Sequence, residues 1–151
     1  ICHFPYKSIL FMSAKWCVGL MTGTALDGNV DAALLRTDGK KIYDFGPYII
    51  QPYPQRIKQT LSTVVHEAKE WNFKGKKPKS FTNLEIQITE FQSAVVLRLL
   101  KHADIKKTKI NVIGFHGQTL LHLPPKKGVH GQTLQLGNGE MMANQLGIPV
   151  V

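Results

Sequence analysis

Apolar residues in this chain come first as short continuous runs and then at helical spacings. One run, Trp16 to Met21, stops at Thr22-Gly23-Thr24-Ala25-Leu26-Asp27-Gly28, and a second, Val30 to Leu35, follows almost at once. Two such runs around a short Gly-containing loop predict a β-hairpin. The near-continuous apolar character of Trp16–Met21 predicts a strand buried on both faces. Val30–Arg36 reads as the second strand. Asp38-Gly39 is a strong turn dipeptide that leads into a third strand from about Lys41 to Gln51, with an interruption expected at Gly46-Pro47. The chain is therefore expected to open as a three-stranded antiparallel meander.

The period then changes. Pro52 and Pro54 end the strand region and permit a helix start. Ile57, Leu61, Val64, Val65 and Ala68 share one face of a helix from about Pro54 to Glu70. After the Lys-rich segment 74–79, Thr82 and Glu85 stand at capping-box spacing, with Ser80 as another candidate cap. Leu84, Ile88, Phe91, Val95 and Leu99 mark a second long helix running to about His102. Ile110–Phe115 suits a buried parallel strand. Thr119–Leu123 and Thr133–Leu136 can pair across Pro124–Gly131, Asn138 can cap a short helix through Leu146 that Gly147 ends, and Ile148–Val151 begins a further strand. Three antiparallel strands followed by crossover units predict an α/β domain with a mixed sheet.

With 151 residues and ordinary hydrophobic and charged fractions, the chain can form one domain with a real core. No apolar run approaches the roughly 18 residues of a membrane span, and Ile9–Met12 falls short of a signal peptide's apolar region of about 7 to 15. The sequence does not begin with Met, and Met12 stands just before the first strand, so residues 1–11 are read as an upstream or non-native segment and 12–151 as the folded unit. Cys2 and Cys17 have neither metal-ligand spacing nor disulfide density, which fits a reducing cytoplasm. The net charge of +9 raises the prospect of a nucleic-acid partner. The Lys74–Lys79 run lacks interleaved aromatic residues, however, and no nucleic-acid-binding signature is present. A solvated basic loop is the better reading, and anionic nucleotides also benefit from a positive field.

Two segments carry candidate chemistry. In the first loop Gly23 and Gly28 allow close approach of a ligand to the backbone, and Thr22 and Thr24 bring hydroxyls. That set suits a phosphate, with Asp27 near a metal or the transferred group; it equally suits a structural hairpin turn. The second segment, Gly114-Phe115-His116-Gly117-Gln118-Thr119, follows the predicted parallel strand, where α/β proteins bind ligands. His116, Gln118 and Thr119 offer directional hydrogen bonds to a polyhydroxylated ligand. They also read as an ordinary polar turn. The string His-Gly-Gln-Thr-Leu recurs at 130–134, but two copies do not make a repeat architecture. His66 and His102 fall in predicted helices as surface or packing residues. No His, Cys and Asp grouping has zinc spacing.

The exact strings are more specific than their composition. Gly19-Leu20-Met21-Thr22-Gly23-Thr24-Ala25-Leu26-Asp27-Gly28 resembles the N-terminal signature of the anhydro-N-acetylmuramic acid kinases, Gly-(Leu/Val)-Met-Ser-Gly-Thr-Ser-Leu-Asp-Gly-Val-Asp. Thr22 and Ala25 replace its two serines, and Asn29 is an extra residue before Val30-Asp31. Ile113-Gly114-Phe115-His116-Gly117-Gln118-Thr119, Thr133-Leu134-Gln135-Leu136-Gly137 and Gly147-Ile148-Pro149-Val150-Val151 are similar to later family segments, in the same order.

The resemblance implies a ribonuclease-H-like, actin-like ATPase domain, incomplete at its C-terminus. It implies conversion of 1,6-anhydro-N-acetylmuramic acid to N-acetylmuramic acid 6-phosphate with ATP and Mg²⁺, water opening the anhydro bridge as the freed sugar oxygen takes the phosphoryl group. Gly23, Thr24, Ala25, Leu26, Asp27, Gly28, Asn29, Val30 and Asp31 are the implied ATP-phosphate segment, with Asp27 as the metal ligand. His116, Gln118 and Thr119 fall on the sugar side. The family's general base lies in an Asp-Phe-Arg segment beyond the position of Val151, so this chain is expected to be an inactive N-terminal portion with no catalytic residue of its own. It is expected to be cytoplasmic, marginally stable, and able to form homo-oligomers through an exposed strand edge. The alternatives are a noncatalytic sugar- or nucleotide-binding module and a basic nucleic-acid-binding domain.

Overall fold

The computed structural model describes residues 13–23 and 28–151. Strands β1 (Lys15–Thr22), β2 (Asn29–Thr37) and β3 (Ile42–Pro52) form the expected antiparallel meander, and β4 (Ile110–Phe115) lies parallel to β1, giving the order β3-β2-β1-β4. The mixed sheet follows from the connections: tight turns join antiparallel neighbours, whereas β4 is reached only after two helices. Strand β3 runs through Gly46-Pro47, and the expected interruption shows in the pairing. Ala33 stands opposite Tyr48 and Leu35 opposite Phe45, so Gly46 and Pro47 form the irregularity opposite Leu34, and a second shift follows at Arg36/Thr37.

Helix α1 (Gln55–Trp71) and helix α2 (Lys79–His102) carry the core through Ile57, Leu61, Val64, Phe81, Leu84, Ile88, Val95 and Leu99. These face Val18 and Leu20 of β1 and Val30, Ala32 and Leu34 of β2, all buried. Beta-strand alternation sends the intervening side chains to the other face. There Met21 is 60% exposed, and Gly19, Met21, Asp31, Ala33, Tyr48 and Ile50 line a shallow cavity of ≈ 310 Å³. The expectation that β1 is buried on both faces is therefore corrected. Its apolar run has one covered face, because the described helices pack only against the side that carries Val18 and Leu20.

The capping box is corrected too. Helix α2 starts at Lys79 with Pro78 at the N-cap and no side-chain cap, so Thr82 and Glu85 lie inside the helix. Ser80 donates a short hydrogen bond to Glu67 of α1, which ties the two helices together. Strands β5 (Gln118–Leu123) and β6 (Gln132–Leu136) make a separate hairpin, followed by α3 (Gly139–Leu146). Asn138 caps α3, its Oδ1 accepting from Met141 N at 2.8 Å, and Gly147 ends it at φ 68. Val150 then bridges to Ile113 in parallel, extending the sheet beyond β4. Among the described residues no helix is long and apolar enough to cross a membrane.

Candidate functional site

Strand direction brings the two chemistry-bearing segments together. Parallel β1 and β4 run in register from Val18↔Ile113 to Leu20↔Phe115, so the residues beyond each strand emerge at the same sheet edge. Thr22 Oγ1 donates to Gly117 O at 2.8 Å across 95 residues of sequence. Thr22 N makes a long 3.5 Å contact with His116 Nε2, and Gln118 Nε2 donates to Gly23 O at 3.3 Å. His116 is exposed at this edge. Gln118 is buried and its amide nitrogen joins the two loops. Thr119 is half-buried and its Oγ1 accepts from Gln135 Nε2 of β6 at 3.4 Å.

A second layer holds this edge in place. Gly117 adopts φ 69, and a Cβ there would stand 2.8 Å from the Leu136 carbonyl carbon and 3.2 Å from Gly137 Cα. Only glycine permits both the left-handed conformation and that backbone approach. Gly137 N in turn donates to Glu85 Oε1 at 3.2 Å, and Asn138 N to Thr89 Oγ1 at 3.0 Å. Helix α2 thus anchors the β6 exit, which packs on the Gly117 turn, which bonds to Thr22. Glu85 and Thr89 were not legible as site supports. Glu85 stood at capping spacing, and Thr89 occupies a buried helix position whose partner lies 49 residues away.

The first loop is described at its two ends. Gly28 has φ 63 and its carbonyl accepts from Tyr53 N at 2.8 Å, which fastens the start of β2 to the start of α1. A Cβ on Gly28 would meet the Lys58 side chain, at 2.9 Å from Cε and 3.4 Å from Nζ. Asn29 begins β2 opposite Pro52; Val30 is buried in the core, leaving only its backbone for a ligand; Asp31 is exposed opposite Met21. Thr24, Ala25, Leu26 and Asp27, including the expected metal ligand, lie outside the described residues. Among the described residues no three His, Cys, Asp or Glu side chains gather as a metal site. Magnesium commonly uses only one or two protein carboxylates together with substrate phosphates, so a single Asp27 is a sufficient donor by type.

The second His-Gly-Gln-Thr-Leu string does not join the site. His130 is exposed beside the Lys126–Val129 bridge, and the string's Thr133 pairs with His122 across the hairpin. A Cβ on its Gly131 would meet Pro125 and the Leu123 carbonyl oxygen rather than a strand-end loop.

The class of protein is now defined: a mixed-sheet α/β domain whose ligand-type loops converge where parallel strands end. The family model for anhydro-N-acetylmuramic acid kinase matches residues 15–151, and the chain belongs to that family. It is similar to the anhydro-N-acetylmuramic acid kinase of Rhizobium rhizogenes, 48% identical over 139 residues, covering 92% of this chain and 38% of that protein. The same-named protein of Mesorhizobium japonicum is likewise 48% identical over 139 residues, with the same coverage. Anhydro-N-acetylmuramic acid kinase 2 of a Jannaschia species is 47% identical over 137 residues, 91% of this chain and 36% of its own length. The chain thus spans little more than a third of the curated relatives it matches.

Proposed function

We propose that the polypeptide carrying this chain is an ATP-dependent sugar kinase that converts 1,6-anhydro-N-acetylmuramic acid to N-acetylmuramic acid 6-phosphate with hydrolytic opening of the anhydro ring. The carrying observation is the hydrogen-bonded union of Thr22-Gly23 with His116-Gly117-Gln118 at one sheet edge. A phosphoryl donor and an acceptor sugar must be held side by side, and two loops locked to each other provide fixed neighbouring walls. In this reading the 23–31 segment takes the ATP phosphates, and His116 and Thr119 orient sugar hydroxyls while Gln118 keeps the loops in register. Magnesium, when bound, neutralises phosphate charge, and Asp27 is its proposed ligand. The domain is read as actin-like, cytoplasmic and capable of homo-oligomerisation. The base that activates water is assigned to the portion of the family following the Gly-Ile-Pro-Val-Val segment.

The test uses the polypeptide encoded by the natural reading frame. Thr24→Ala and Asp27→Ala should each lower turnover of anhydro-sugar with ATP by about 10²-fold or more, the scale of lost transition-state contacts. Near-normal turnover in both variants would return the loop to a structural role. Absence of sugar and ATP binding, with steeply salt-dependent oligonucleotide binding instead, would favour the basic nucleic-acid-binding alternative.

A further inference from the structure

We propose that Lys58 is a phosphate-binding residue of this site, supplying a fixed positive charge beside Gly28. The inference rests on the ATP reading above and adds to it a residue that the signature strings do not contain. Three observations carry it. The Lys58 stem lies against the bare Cα of Gly28, so close that a Cβ there would stand 2.9 Å from Cε, 3.3 Å from Cδ and 3.4 Å from Nζ. The contact is held from both sides: Gly28 O accepts from Tyr53 N, and β2 begins opposite the end of β3, so α1 cannot drift away from the loop exit. Finally, among the described residues no carboxylate lies within ion-pair distance of Lys58, and the first turn of α1 contains no acidic residue.

An ammonium carried on a half-buried stem to the bare side of a glycine is well suited to an anion that approaches the backbone. Lysine binds phosphate as a compact point charge with three rotatable donors. The neighbouring positive charge in sequence, Arg56, is exposed and adds to the local field. A glycine at 28 serves two purposes in this arrangement. It allows the left-handed backbone at φ 63 and leaves room for the lysine stem.

The test compares Lys58→Met, Lys58→Arg and, as a control, Lys69→Met on the exposed last turn of α1, all in the naturally encoded polypeptide. Calorimetry with ATP–magnesium and with adenosine is paired with steady-state kinetics, and circular dichroism melts check folding. Lys58→Met keeps the apolar stem and should weaken ATP binding by about 10- to 100-fold, the range of a lost charge-assisted hydrogen bond. Adenosine binding should be unchanged, because it has no phosphate. Lys58→Arg should recover most of the ATP affinity, and Lys69→Met should match wild type. The KM for ATP should rise more than kcat falls. Equal ATP affinity in wild type and Lys58→Met, or equal losses for ATP and adenosine, would overturn the assignment to Lys58 alone. Wild-type protein that neither binds nor turns over ATP would overturn the kinase reading and this proposal with it.

Discussion

Replacing Gly117 with alanine adds one methyl group at the point where the two strand-end loops cross. Two costs follow from the structure. The residue is at φ 69, and a left-handed conformation costs an L side chain about 1–2 kcal/mol. The new Cβ would also stand 2.8 Å from the Leu136 carbonyl carbon, 3.2 Å from Gly137 Cα, and closer still to the Leu136 oxygen. These are backbone atoms held by Glu85 through Gly137 N, so they cannot swing aside as a side chain would. Overpacking of that kind adds about 1–3 kcal/mol, for a total near 3.5 kcal/mol. Gly39 is the internal control: its φ is 85, but a Cβ there meets nothing within 4 Å. Gly39→Ala should therefore cost only the conformational part, about 1–2 kcal/mol. For a protein of this size each kcal/mol moves Tm by about 2–4 °C, so the expected shifts are roughly 7–14 °C and 3–6 °C respectively. Thermal unfolding followed by circular dichroism and fluorescence together checks both. Equal shifts for the two variants would refute the claim that the β6 backbone closes over Gly117.

Further outcomes are expected elsewhere. Thr22→Val is nearly isosteric but removes the 2.8 Å donor to Gly117 O; leaving that buried carbonyl unpaired should cost about 1–3 kcal/mol in urea unfolding, while Thr22→Ser should remain near wild type. Asp38 is held below the usual carboxylate range chiefly by the Lys41 and Lys40 backbone N–H groups, with Tyr43 Oη also donating. A lowered native value means that its stabilisation is present above the unfolded value of about 3.9 and is lost as pH falls through the native one. The stability gap between wild type and Asp38→Ala should therefore shrink as unfolding is measured from about pH 5 towards pH 2; a constant gap would contradict the charge-assisted turn.

Much of the domain was legible because its signals are local. Asp38-Gly39 specified a turn, and Asn138 and Gly147 specified the two ends of α3. The 3.6-residue spacing of Leu84, Ile88, Val95 and Leu99 specified the face of α2 that enters the core. The capping box misled because Thr82 and Glu85 satisfy a spacing rule wherever they occur. The helix had already started at Lys79 behind Pro78, whose fixed φ suits a helix entry. Glu85 was left free to accept from Gly137, 52 residues away.

The candidate site divides along the same line. By itself the sequence offered Gly23 to Asp31 and His116 to Thr119 as candidates, through strings that resemble a family's signatures, and determined that each group follows an apolar strand, because hydrophobic period acts over a few neighbouring residues. The tertiary structure alone decided that Thr22 bonds to Gly117, that Gly117 and Gly137 stack backbone on backbone, and that Lys58 lies on the bare side of Gly28. It also decided that Met21 and Ile50 face outward, although their apolar character suggested burial. Each of these depends on strand register and on which elements cover which face. Those are set by the whole packed sheet, in which partners separated by almost a hundred residues become neighbours.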